Sequence, residues 1–92
     1  RHNINYAFVS SVGLDPEQGA AEGFEEQAIF KEHLVQMAEE VILLIDSTKL
    51  LQRSEYFFAG IHQLTRIITD DGADPAVIRK LISAGCAVTV SD

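Results

Sequence analysis

The sequence predicts an α/β domain built around a mostly parallel sheet, and two observations lead to that class. The predicted strand Val41 to Asp46 is an apolar run without alternation that ends in an acid, which is typical of a parallel strand covered on both faces. Strand-like and helix-like segments also alternate along the chain. Such alternation favours right-handed crossovers between neighbouring parallel strands.

The closing helix has the clearest end signals of any predicted element. Asp74 is suited to cap it, Pro75 to occupy its first helical position, and Gly85 to end it. Strands and turns are assigned from β-branched and aromatic runs and from polar clusters. In chain order the prediction is strand Tyr6–Val12, loop Gly13–Gly23, helix Phe24–Glu40, strand Val41–Asp46, loop or short helical turn Ser47–Glu55, short strand Tyr56–Ala59, strand Arg66–Thr69, helix Pro75–Gly85 and strand Cys86–Val90.

Length, charge and cysteine content limit the class of protein. The chain has 92 residues, enough for one small domain. Its net charge of -7 repels nucleic-acid phosphates and anionic lipids, so it is a poor candidate for binding DNA or a membrane directly. Cys86 is the single cysteine, which excludes an internal disulfide and favours a reducing compartment. We therefore expect a cytoplasmic protein.

The predicted elements leave one sheet face without cover. A mostly parallel sheet has two apolar faces, and the sequence offers only two convincing helices. The remaining cover is expected from an absent part of the same protein or from a second subunit. The chain starts at Arg1 without a methionine, and residues 1–5 are interpreted either as a cloning remnant or as a cut through a longer protein.

Polar residues that suit a phosphorylated polyol follow the most apolar strand. Asp46, Ser47, Thr48 and Lys49 stand at its carboxyl end, where open α/β sheets place their ligands. The carboxylate can accept from sugar hydroxyls, Ser47 and Thr48 can hydrogen-bond, and the Lys49 ammonium can neutralise phosphate. Asp46 has a second possible role, because an aspartate before Ser-Thr also caps the following turn.

Two further segments are candidates for ligand contact. Lys31 and Gln27 fall within the apolar arc of the first helix, so the lysine must either extend its ammonium to water or meet an anion. Small residues end the first strand, among them Ser11 and Gly13. They either let a ligand approach backbone amides or form an ordinary turn.

The sequence does not favour a metal or a cysteine nucleophile. His2, His33 and His62 lack the spacing of a metal site. Cys86 opens a strand and has no histidine near it in sequence, so a buried structural thiol is expected. No cofactor is expected either.

From Tyr6 to Val90 the order of segments resembles the effector domain of DeoR-type transcriptional repressors. The most specific parts are Asp46 to Lys49, close to the family's D-S-S-K, and Ile68-Thr69-Asp70 at the family's spacing. The resemblance implies a Rossmann-like sheet of the ribose-5-phosphate isomerase and CoA-transferase type, incomplete in this chain. Residues 1–92 would be the carboxyl-terminal portion of one effector-sensing domain.

The resemblance also implies a function and an absent part of the protein. The family carries an amino-terminal helix-turn-helix that binds DNA and a first half of the sensor domain with a phosphate loop. A homo-oligomeric repressor that senses a phosphorylated sugar-pathway metabolite is therefore expected, without enzymatic activity. Residues of three segments would face the effector: Asp46, Ser47, Thr48 and Lys49, then Ser11 and Gly13, and also Lys31, which matches a lysine usual in the family's helix.

Two departures from the family pattern bear on specificity. Val12-Gly13 replaces an acid followed by glycine, and Lys49-Leu50-Leu51 replaces Lys-Phe-Gly. The first removes a carboxylate from the expected pocket, which leaves the choice of sugar open. The fold-related isomerases suggest an enzyme as the rival function, and their acidic motif precedes the corresponding strand. Here the acidic motif Asp71 to Asp74 follows the Asp46 strand and ends in a helix cap, so it is interpreted as a turn. A ligand-free oligomerisation module is the third alternative.

Overall fold

The computed structural model describes residues 4–92, in which seven strands and two helices form an α/β fold. Residues 1–3, including His2 and most of the expected remnant, lie outside the described residues, and Ile4 begins the first strand. The strands are β1 Ile4–Ser10, β2 Gly13–Asp15, β3 Gly19–Glu22, β4 Ala38–Leu44, β5 Tyr56–Ala59, β6 Arg66–Asp70 and β7 Ala87–Ser91, and the helices are α1 Glu25–Met37 and α2 Pro75–Ser83.

The main sheet is fully parallel and confirms the predicted class. Its strand order is β1-β4-β6-β7. The register sets Val9 opposite Leu43 and Leu43 opposite Ile67, and these three side chains are buried on the same face. The core therefore lies between this face and the elements that cover it.

A second, three-stranded antiparallel sheet has the order β2-β3-β5. Strands β2 and β3 form a hairpin in the segment predicted as a loop, so that prediction is wrong. The Asp15 carboxylate accepts from the amides of Glu17 and Gln18 at 2.7 and 3.2 Å, which fixes the turn. The two strands have three and four residues, rich in Gly and Ala, and so carry little β propensity.

Helix α1 is shorter than predicted, and β4 begins earlier. The chain passes directly from Met37 to the strand residue Ala38, which pairs with Ile4 of β1. Pairing with β1 overrides the helical pattern of the last three residues, since tertiary contacts outweigh local propensity. Phe24, predicted as the first residue of this helix, precedes it in extended backbone and is exposed.

The second half of the chain follows the sequence prediction closely. Asp74 caps α2 by accepting from the amide of Ala76 at 2.8 Å, and Pro75 is its first residue. Leu81 is fully buried on the inner side of this helix. Strand β5 is present as predicted, and a 3-10 turn over Ser47–Lys49 confirms the short helical turn.

The covering elements within residues 4–92 lie on one side of the main sheet. Each connection between its strands advances in the same direction along the order β1-β4-β6-β7; because such crossovers are right-handed, the connecting segments pack on one face. On the opposite face, Phe8 is 62% and Tyr6 is 56% exposed. We call this the bare face, and its apolar members are Tyr6, Phe8, Ile42, Leu44 and Ile68.

Neither helix of the described chain combines the length and the apolar character needed to cross a lipid bilayer.

Candidate functional site

The polar residues after β4 form a closed hydrogen-bonded turn, which we call the strand-end turn (Asp46–Lys49). Asp46 accepts from the backbone amide of Thr48 at 2.9 Å and from its hydroxyl. The Lys49 ammonium lies 3.5 Å from the other Asp46 oxygen. Both hydrogen bonds lower the pKa of Asp46, with a smaller contribution from Lys49. Asp46 thus takes the capping role that sequence left as one of two alternatives.

Asp70, at the end of the neighbouring strand β6, anchors this turn. One of its oxygens accepts from the Ser47 amide at 2.9 Å, and the other accepts from the Gly72 amide at 2.9 Å. A Cβ on Gly72 would lie 2.7 Å from the Ser47 hydroxyl, so a larger residue here would force that hydroxyl to move. Sequence reasoning quoted Asp70 as a motif residue and missed this role.

Acid is expected to loosen the strand-end turn. Hydrogen bonds from Ser47, followed by the Gly72 amide, lower the pKa of Asp70 below its usual value near 3.8. A carboxylate with a lowered folded-state pKa stabilises the fold above its unfolded pKa, and that stabilisation is lost as pH falls through the folded value. The free energy of unfolding, measured in urea from about pH 6 to about pH 3, should fall less steeply in Asp70→Asn than in the wild type. The exposed neighbour Asp71 provides the control Asp71→Asn, and equal pH dependence in wild type and Asp70→Asn would contradict the role of Asp70.

Lys31 of α1 lies in a second polar cluster, at the end of β1. Its ammonium pairs with the Glu22 carboxylate and donates to the Ser10 carbonyl oxygen at 2.5 Å and to the Ser10 hydroxyl at 3.4 Å. It also lies 5.5 Å from the centre of the Phe58 ring. The Glu22 side chain is 5% and the Lys31 side chain 17% exposed. Lys31 therefore points inward and meets an anion, and that anion belongs to the protein.

These residues line an open cavity of about 600 Å³, which we call the lysine pocket. Its wall consists of Ser10, Val12, Glu22, Glu26, Gln27, Phe30 and Lys31. The sequence indicated that Val12 removes a carboxylate from this region. In the structure a carboxylate comes from β3 instead. The Val12 amide donates to the Ala21 carbonyl oxygen at 3.1 Å, which places β3 and its last residue, Glu22, beside the end of β1. The sequence feature that could have indicated Glu22 is its place as a charged residue at the end of a short Gly-Ala segment.

Ser11 and Gly13 are not part of the pocket wall. Ser11 is buried, and its hydroxyl has no hydrogen-bond partner within residues 4–92. Gly13 lies in β2, where an added Cβ would come 2.5 Å from the Gln52 carbonyl oxygen. Its small size is explained by contact with the chain that follows the strand-end turn. Ser10, which directly precedes Ser11, is the β1 residue that reaches the cavity.

The strand-end turn and the lysine pocket stand at the same edge of the main sheet. Ser10 is the last residue of β1 and pairs with Leu44, the last residue of β4. Asp46 follows two residues later. Carboxyl ends of adjacent parallel strands are separated by about 4.8 Å, so both groups of polar side chains face the region beyond these ends.

Other candidate chemistry is not assembled in the described residues. No cluster of three His, Cys, Asp or Glu side chains suited to a metal ion occurs within residues 4–92. Cys86 is buried with its sulfur 3.8 Å from the Ile61 carbonyl oxygen, and burial raises the pKa of its thiol. A protonated buried thiol is a weak nucleophile. The segment Asp71 to Asp74 forms the predicted turn and helix cap.

A larger cavity of about 980 Å³ is lined by the β2–β3 turn, by the segment that follows the strand-end turn and by α2. Arg53, Arg79 and Lys80 line it together with Asp15 and Glu17. Its charges largely compensate one another, and none of the residues predicted to contact an effector reaches it.

Comparison with known proteins identifies the family. Residues 1–71 match the family model described as the DeoR C terminal sensor domain. The chain belongs to this DeoR sensor-domain family. DeoR membership confirms the predicted regulator domain, whereas the isomerase-like enzyme finds no support among the relatives.

Three curated DeoR relatives are transcriptional regulators. The chain is 36% identical over 92 residues to the HTH-type transcriptional regulator GlpR of Haloferax volcanii. It is 32% identical over 88 residues to the uncharacterized HTH-type transcriptional regulator YulB of Bacillus subtilis. It is also 32% identical over 91 residues to the HTH-type transcriptional repressor GlcR of the same bacterium. These alignments cover 96 to 100% of this chain but only 34 to 35% of the relatives, so the chain spans about a third of their length.

Proposed function

We propose that this DeoR sensor domain binds a phosphorylated sugar or sugar-pathway metabolite and thereby controls operator binding by a helix-turn-helix domain elsewhere in the same protein. The observation that carries the proposal is the strand-end turn, which presents the Lys49 ammonium beyond the carboxyl end of β4. Open α/β sheets bind ligands at that position. The relatives' description as HTH-type regulators supports the DNA partner.

Lys49 is the better phosphate ligand of the two lysines at this edge. Its ion pair with Asp46 is 3.5 Å long, and both side chains are substantially exposed. An exposed pair of this kind contributes little free energy, so an incoming phosphate can replace Asp46 as the partner. Ser47 and Thr48 are proposed to add hydrogen bonds to the same ligand, while Asp46 and Asp70 hold the turn in place. Ser11 and Gly13 are proposed to pack beneath this edge of the sheet without contacting the ligand.

The bare face supports the proposal that residues 1–92 are the carboxyl-terminal portion of one sensor domain. All-parallel sheets occur almost only with both faces covered. Phe8 and Tyr6 stand more than half exposed on a strand that has no neighbour on its outer edge within the described chain. Relatives about three times as long contain enough additional polypeptide to cover this face. The occupant we propose is the first half of the sensor domain in the same protein.

The remaining partners and the compartment are proposed from the class of regulator, the net charge and the cysteine content. Helix-turn-helix regulators read two half-sites with a two-fold symmetric dimer, so a homo-oligomer is proposed. DNA contact by this chain itself is disfavoured by its net charge of -7. The single buried cysteine fits the reducing cytoplasm, and we place the protein there.

Calorimetry on two forms of the protein tests ligand binding. The full-length gene product should bind at least one of glycerol 3-phosphate, fructose 1-phosphate, fructose 6-phosphate and glucose 6-phosphate. The 92-residue chain should bind the same compound at least about 10-fold more weakly, because the phosphate loop implied by the family lies in the preceding half and its hydrogen bonds to a charged group are lost.

Two outcomes would contradict these expectations. Absence of binding by the full-length protein to all four compounds, at concentrations where its operator binding is intact, would overturn the proposed effector class. Equal affinity of the two forms would show that the cleft is complete in this chain.

A further inference from the structure

The lysine pocket differs from the strand-end turn in how its lysine is bound. An ammonium group has three donors, and Lys31 already contacts the Glu22 carboxylate, the Ser10 carbonyl oxygen and the Ser10 hydroxyl. Glu22 is buried, and Lys31 is its cationic partner among residues 4–92. Removing that partner would leave a buried carboxylate whose charge is not compensated. Lys31 is therefore not free to transfer to a phosphate group, in contrast to Lys49.

The charge of the pocket wall also disfavours an anion. Of the charged side chains that residues 4–92 contribute to this wall, two are acids, Glu22 and Glu26, and one is a cation, Lys31. A phosphate group placed in this cavity would meet a like-charged wall, which is destabilising at short range. An uncharged ligand group meets no such repulsion.

The same wall suits a hydroxylated group. A carboxylate has about four lone-pair sites, and Lys31 occupies one side of Glu22, so the remaining sites can accept from hydroxyl groups. The Ser10 hydroxyl and the Gln27 amide both donate and accept. Phe30, which is 64% exposed, and Val12 add apolar surface to the wall. Acceptors beside an aromatic side chain match the hydroxyl and C–H groups of a sugar.

We propose that the lysine pocket receives the uncharged, hydroxyl-bearing end of the effector and that Glu22 is its specificity-determining acceptor. The inference rests on the proposed function, and it assigns the two ends of the ligand. Phosphate binds beside Lys49, whereas the polyol end enters the cavity between Glu22 and Phe30. Lys31 acts as a positioning residue that holds the Glu22 carboxylate and the end of β1 together.

Preorganisation strengthens this assignment. Glu22 lies in β3, where it pairs with Tyr56 of β5, and its carboxylate is held by Lys31 from α1. A group fixed in its binding geometry loses little conformational entropy when a ligand arrives. A carboxylate on a mobile loop would lack that advantage.

The test separates the two ends of the ligand by using two probes on the full-length protein. Affinities are measured by calorimetry for the tightest of the four sugar phosphates named above and, separately, for inorganic phosphate. Glu22→Gln should weaken sugar-phosphate binding at least about 10-fold, as expected for a hydrogen bond to a charged group, and leave inorganic phosphate binding unchanged. Lys49→Ala should weaken both probes.

A second variant avoids the buried ion pair altogether. Phe30 is exposed, so Phe30→Ala should fold normally and weaken the sugar phosphate about 3- to 10-fold, as expected for an aromatic contact, without affecting inorganic phosphate. Phe24→Ala is its matched control because Phe24 is 71% exposed and lies outside the pocket wall. Glu25→Gln is the matched control for Glu22→Gln.

The outcomes distinguish this inference from the proposed function. Sugar-phosphate binding that is unchanged in both Glu22→Gln and Phe30→Ala would overturn the pocket assignment while leaving the sensor function intact. Parallel loss of sugar phosphate and inorganic phosphate in Glu22→Gln would also overturn it, because the pocket would then contact phosphate. If the wild-type protein binds no sugar phosphate, both proposals are wrong.

Discussion

Lys49→Ala in the full-length regulator is expected to weaken effector binding about 10- to 100-fold, the range for a charge-assisted hydrogen bond. The reason is the exposed and weakly paired ammonium of Lys49 at the strand-end turn. Operator binding without effector should be unchanged, since the residue lies in the sensor domain and operator contact is proposed for a separate helix-turn-helix domain. The measurement is an operator-binding titration with and without the sugar phosphate identified by calorimetry. The effector concentration that changes operator affinity should rise by the same factor.

The control for this experiment keeps the change in net charge and moves it elsewhere. Lys80 is exposed and lies in the last turn of α2, outside the strand-end turn, and Lys80→Ala should respond to effector as the wild type does. A normal response in Lys49→Ala would exclude this residue from the site. A reduced response in both variants would indicate a general electrostatic effect of the lost charge.

Linkage gives the same experiment a second readout. If effector lowers operator affinity by some factor, operator DNA must lower effector affinity by the same factor. A variant that loses only effector affinity keeps that factor at saturating ligand. A variant that loses the factor itself has lost coupling between the domains. We expect Lys49→Ala to be of the first kind, because Asp46 and Asp70 still hold the turn.

Local signals were sufficient to predict the parallel part of the fold. The uninterrupted apolar run became β4, and the Asp74-Pro75 start became the beginning of α2. In both cases the deciding feature is local in sequence. For α2 it is a side-chain cap, and for β4 it is an apolar pattern without alternation. The β2–β3 hairpin was missed because its short strands are stabilised by pairing with β5, which lies more than thirty residues away in sequence.

The candidate site likewise contains residues that local sequence could predict and residues whose roles depend on distant contacts. Asp46 and Lys49 are neighbours in sequence, so their placement at a strand end could be predicted. Glu22 and Asp70 could not, because their roles depend on contacts that only the folded chain makes. Glu22 meets Lys31 across the gap between β3 and α1, and Asp70 meets Ser47 across 23 positions of sequence. For an inward lysine the sequence left two alternatives, contact with water or with an anion, and it could not identify the anion.

The second large expected effect concerns the bare face. The loss of stability caused by truncating Phe8 should depend on whether another part of the protein covers that face. Phe8 is exposed in the 92-residue chain, so Phe8→Ala should change its free energy of unfolding by no more than about 0.5 kcal/mol. In the full-length protein the preceding half of the sensor domain is proposed to cover Phe8. There the same substitution should cost about 3 kcal/mol, the range for truncating a buried phenylalanine.

Val9 provides the matched control, because it is adjacent in β1 but points to the covered face and is buried in the chain itself. Val9→Ala should therefore destabilise the short and the full-length forms by similar amounts, as measured by urea unfolding followed by circular dichroism. A small cost of Phe8→Ala in both forms would show that the preceding segment does not cover the bare face. A cost that grows with protein concentration would instead assign the face to a second copy of the chain, because only association between molecules depends on concentration.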